Sequence, residues 1–135
     1  KSTVLSHFAS WLDEAGIRLI PTDAFGVSGL DRVFAATYSA GGGEMTAFLS
    51  RRASPQEARD LARSYVEFLK TYGGEASPSE APVDGATVVA ILDMFEVVFA
   101  QGPFLAGVHE APDRERALSL SGRLAEKLKE VSRVP

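Results

Sequence analysis

Cysteine is absent from this 135-residue chain, which removes disulfide frameworks, thiol nucleophiles and cysteine-ligated metal sites. That absence is neutral about compartment. Histidine is nearly absent too: His7 and His109 are the two carriers of any imidazole chemistry. There is no basic excess, the formal net charge being −4, which argues against a nucleic-acid binder. No apolar run approaches the roughly 20 residues of a membrane span. A Gly-x-Ser-x-Gly elbow is missing. Gly41-Gly42-Gly43 lacks the Gly-Lys-Ser/Thr ending of a phosphate loop and precedes a strand instead of a helix. Nothing in the sequence calls for a cofactor.

What is present suits one folded unit. Hydrophobic residues make up 45% and charged residues 24%, ordinary values for a globular domain. The length fits a single α+β domain over 1–135 with a real core.

The most legible stretch is 33–74. Phe34–Ser39 and Met45–Ser50 are short runs bearing aromatics and threonine, separated by the three glycines, and predict a β-hairpin. Ser54 then offers a cap, Pro55 stands at the first helical position, and Glu57 is placed to reach back and close a capping box. Ala58, Leu61, Ala62, Tyr65, Phe68, Leu69 and Tyr72 follow helical spacing and form one apolar stripe. Gly73 is the expected stop. Together these make a ββα unit.

Before it, Val4, Leu5, Phe8, Trp11, Leu12 and Ala15 predict an N-terminal helix over 3–15. Ile17 to Ile20 reads as an extended connector or edge strand. After it, residues 75–85 are rich in Pro, Ser, Glu and Gly and predict a mobile loop. A second hairpin-helix unit then spans 86–132. In it, Thr87–Leu92 reads as a central strand, Asp93 as a turn, and Phe95–Ala100 and Phe104–Glu110 as a hairpin around Gly102-Pro103. Pro112 and Asp113 open a last helix carrying Ala117, Leu120, Leu124, Leu128 and Val131. The expected architecture is an antiparallel sheet of about five strands with three helices, mostly on one face. The two halves are either a duplicated ββα unit or two junctions obeying the same capping rules.

Phe34-x-x-x-Tyr38, the glycine turn, Glu44-Met-Thr-Ala-Phe-Leu49, Ser54-Pro55-x-Glu57-Ala58 and Phe95-Glu-Val-Val-Phe-Ala-Gln-Gly102 form an ordered set. Over about residues 24–128 this set resembles the uncharacterised bacterial domain-of-unknown-function family 6599. The resemblance implies an α+β domain of an exported protein, periplasmic or extracellular, with no established activity and no catalytic residues to carry over.

Several residues could carry function. Phe48 and Val98 fall opposite the main apolar set of their strands, and Glu96 alone among the carboxylates lies within an apolar strand, facing away from Phe95, Val97 and Phe99. If helices cover one sheet face, these three would emerge on the other as a ligand or partner surface. Arg51 and Arg52 stand beside a helix N-terminus with Arg59 nearby, a possible anion site. His109, Glu110 and Asp113 combine an imidazole with carboxylates, as metal sites do, although simple alternation sends His109 and Glu110 to opposite faces. The leading expectation is therefore a non-catalytic binding or protein-interaction module using a sheet face or edge. The alternative is a small hydrolase or metal-dependent enzyme built on His109, Glu110 and Asp113. A homodimer pairing sheet faces or edges is the third expectation.

Overall fold

Alternation along the central strands sends residues to two separate apolar layers, so each face of the sheet needs its own cover. The computed structural model describes residues 17–40, 43–78 and 85–132. The helix expected at 3–15 and most of the loop expected at 75–85 lie outside the described residues.

Seven strands form one antiparallel sheet: β1 (Ile17–Ile20), β2 (Val33–Ala40), β3 (Gly43–Arg51), β4 (Glu75–Pro78), β5 (Thr87–Ile91), β6 (Met94–Gln101) and β7 (Phe104–Ala111). Their spatial order is β1-β2-β3-β7-β6-β5-β4. The described helices are α1 (Pro55–Thr71) and α2 (Arg114–Ser132). The sheet thus exceeds the expected five strands. Ile17–Ile20 is an edge strand, and Glu75–Pro78, expected to be loop, pairs with β5 as the other edge. Proline is tolerated there because an edge strand has a side without ladder bonds.

Helix α1 begins as its sequence dictates. Ser54 Oγ accepts from the Glu57 amide at 3.1 Å, and Pro55 follows at the first turn. It ends at Gly73, whose φ of +99° other residues resist. The Glu57 carboxylate does not close a capping box; it pairs with Arg52 at 2.9 Å. For α2, Asp113 Oδ1 accepts from the Arg116 amide at 2.8 Å.

The two helices lie on opposite faces. Leu30, Val33, Phe48, Val89, Val98 and Leu105 form one layer with Tyr65 and Leu69 of α1. Ala47, Leu49, Val97, Phe99, Ala106 and Val108 form the other with Ala117, Leu120, Leu124 and Leu128 of α2. This corrects the expectation of helices on one face. A three-strand meander followed by a helix does occur twice in order. A two-fold axis relating antiparallel neighbours β3 and β7 would be perpendicular to the sheet and leave both helices on one side. The observed arrangement therefore lacks that symmetry.

Near the centre, Phe48 and Val98 pair across β7 through Gly107. A Cβ at Gly107 would collide with the Val97 carbonyl and come within 2.8 Å of the Phe48 ring. Glycine is required there for the ring to lie on the backbone.

Candidate functional site

The presumed partner surface is interior. Phe48, Glu96 and Val98 are 0, 2 and 2% exposed, because α1 and the segment 21–32 cover their face. Glu96, read from sequence as facing solvent or a partner, is instead a buried carboxylate. Such a group needs donors to offset its lost hydration.

Three donors converge on it. Tyr65 Oη–H donates to Glu96 Oε1 at 2.7 Å. The Glu110 amide donates to Oε2 at 3.0 Å. His109 Nδ1 lies 2.8 Å from Oε2. Tyr65 comes from the middle of α1, and its phenol pKa is raised well above 10.0, first by burial and then by the charge of Glu96. It is a hydrogen-bond donor here, not a source of phenolate.

His109 reaches this carboxylate by ordinary register, and a β-bulge adds Glu110. Phe95 pairs with Ala111 and Val97 with Val108, so β7 advances three residues (111 − 108) while β6 advances two (97 − 95). The extra residue is accommodated with Glu110 at φ +58°. The bulge overturns simple alternation: Glu110 Oε2 lies 3.6 Å from His109 Nε2. A carboxylate thus lies near each ring nitrogen, Glu96 at Nδ1 and Glu110 at Nε2. Phe25 stacks on the imidazole with ring centroids 4.0 Å apart.

Backbone strain gathers around this ring. Asp23 at φ +45°, Phe25 at +55° and Glu110 at +58° are all non-glycine residues in the left-handed region. Such strain persists only where surrounding structure over-determines it.

From His109 a polar row continues across the same face. Thr46 stands directly opposite His109, and Thr37 opposite Thr46. The two threonine hydroxyls are 3.2 Å apart, and Arg18 Nη1 donates to Thr37 Oγ1 at 3.1 Å. The row thus runs from an exposed guanidinium on edge strand β1 through two hydroxyls to the imidazole. Sequence reasoning missed Arg18, Thr37, Thr46, Phe25 and Tyr65. The one available signal was the alternation along β3 placing Thr46 in phase with Phe48.

The other expected sites come apart. Arg52 is buried and tied to Asp31 Oδ1 and Glu57 Oε2, each at 2.9 Å, so its charge is already neutralised. Arg51 is exposed, with its guanidinium 5.8 Å from the Phe104 ring centroid. Arg59 bonds Gln56 and lines a separate groove of about 330 Å³ with Arg63, Val66 and Phe99. No common anion site joins the three arginines. Asp113 is engaged as the α2 cap and pairs with Arg116 at 2.8 Å. Among the described residues, no group of three or more His, Asp or Glu side chains is arranged to hold a metal ion.

Fold and site together define, among the described residues, an α+β domain with a seven-stranded antiparallel sheet, one helix on each face, and a strained polar site at one end of the α1 face. The chain matches no protein-family model, no curated protein and no solved structure. Among the described residues no helix is long and apolar enough to cross a membrane.

Proposed function

We propose that this protein is a non-catalytic binding module whose site is the polar row at the His109 end of the α1 face. The ligand class is a small hydroxyl-rich acid: a carboxylate for Arg18, and hydroxyls for Thr37, Thr46 and His109 Nε2. The observation that carries the reading is the imidazole held at Nδ1 by a buried carboxylate, beside a hydroxyl row ending in a guanidinium. A buried charge retained under a strained loop costs stability, and ligand recognition accounts for its retention.

The test is a titration followed by His109 and Thr46 resonances, using glucuronate as probe and glucose as the uncharged control. Saturable shifts with glucuronate, weakened at least about tenfold by Arg18→Gln, support the reading. Unchanged resonances, or equal shifts with glucose, count against it.

An enzymatic reading is favoured by one feature: the Glu96–His109 pair orients an imidazole as general acid–base pairs do. In that reading His109 acts with Glu110, and Asp113 has no part because it caps α2. Turnover lost in His109→Gln with the fold intact would move this reading first. Location in an exported bacterial protein, periplasmic or extracellular, rests on the sequence resemblance, and a partner at the β1 edge rests on exposed Leu19.

A further inference from the structure

We propose that the groove between α1 and the Ala100 end of β6 is a second binding site, for a monocarboxylate with an apolar body.

Helical and strand spacing place the walls of this groove. Arg59, Ala62, Arg63 and Val66 follow the i, i+3, i+4, i+7 pattern on α1 and so form one stripe along the helix. On β6, Glu96, Val98 and Ala100 follow one another on the α1 face by alternation. Glu96 belongs to the His109 site, and Ala100 lies near the other end of the strand. Ala62 and Ala100 put small side chains on the two walls. The most buried lining residue is Val98, at 2% exposed. The space left open is about 330 Å³, at the small end of the range for ligand sites. It suits one short apolar chain.

The rim sets the sign of the ligand. Arg59 and Arg63 are both exposed and both line the groove. Asp60 Oδ1 accepts from Arg63 Nη1 at 3.0 Å and from Gln56 Nε2 at 2.8 Å, so one of the two guanidinium groups is matched. Arg59 Nη2 donates to the neutral Gln56 Oε1 at 2.8 Å. Among the described residues no carboxylate forms an ion pair with it. One unmatched positive charge beside an apolar floor is complementary to one negative charge on an apolar body. A guanidinium offers paired N–H donors to carboxylate oxygens, and an apolar chain seated beside it excludes water that would otherwise screen the pair.

Octanoate is the probe, with 1-octanol as the uncharged chain and acetate as the headgroup alone. Methyl resonances of Val66 and Val98 in the full chain report the groove. The expected result is saturable shifts with octanoate, and binding at least about tenfold weaker for octanol and acetate. Arg59→Gln should weaken octanoate by a similar factor, and Ala62→Leu, which fills the space, should abolish the shifts. Arg59 is exposed, so its variant remains informative if Ala62→Leu fails to fold. Octanoate without saturable shifts at these methyls would overturn the proposal. So would equal affinity for octanol, or octanoate binding unchanged by Arg59→Gln. Shifts centred on His109 and Thr46 would overturn it too, by assigning the carboxylate to the polar row.

Discussion

Glu96 Oε2 lies 2.8 Å from His109 Nδ1, where the β6–β7 register that pairs Val97 with Val108 places the two residues on one face. The β7 bulge adds the Glu110 amide to this pair, and Tyr65 of α1 closes the group. One carboxylate therefore ties the helix, the bulge and the candidate site into one unit.

The first expected consequence concerns stability. Glu96→Ala removes the acceptor for three donors and should cost about 3 kcal/mol, with Glu96→Gln costing about half that. Urea denaturation of Glu96→Gln, Tyr65→Phe and the variant carrying both gives a double-mutant cycle. A Glu96–Tyr65 coupling near zero would show that the hydrogen bond contributes nothing.

Alkaline unfolding should also report on this group. Tyr65 has a folded pKa raised by burial and by Glu96 above its ordinary 10.0. The folded state then holds a proton that the unfolded state releases, so stability falls as pH rises above about 10. In Tyr65→Phe that part of the decline should disappear, and denaturation midpoints measured from pH 9 to 11 test it.

At acid pH a different pair matters. The hydrogen bond from Arg52 holds the Asp31 carboxyl below its ordinary 3.8, and that from Gln56, followed by Arg63, does the same for Asp60. Their contributions are present above pH 3.8 and fade as pH falls through the lower folded values. Arg52→Ala should remove the Asp31 part of this acid dependence. It should also cost about 2 kcal/mol at neutral pH, since it releases ties to Ser50, Asp31 and Glu57. An unchanged acid limb in the variant would refute the assignment.

The turn between β5 and β6 is open to improvement. Leu92 and Asp93 take φ of +51° and +63°, values that favour Asn-Gly in a two-residue hairpin loop. Leu92 is 81% exposed and gives up little packing. Leu92→Asn should therefore stabilise the protein by about 0.5–1 kcal/mol, visible as a higher melting temperature. A lower one would mean that Leu92 makes a contact important to the fold.

The sequence by itself determined the local pieces. Ser54 and Pro55 start α1, Gly73 stops it, Asp113 caps α2, and Asp93 and Gly102 mark hairpins. Each depends on residues a few positions apart, where hydrogen-bond geometry and allowed φ leave few options. Tertiary structure alone decided what each sheet face meets. Phe48, Glu96 and Val98 share one side by alternation, but α1 covering that side makes them core. The β7 bulge is one extra residue, and it brings together His109 and Glu110, which strict alternation sends apart. Pairings of this kind join residues far apart in the chain, from Arg18 through Thr46 to His109. Their energy exists only once the strands are aligned, so no local spacing records it.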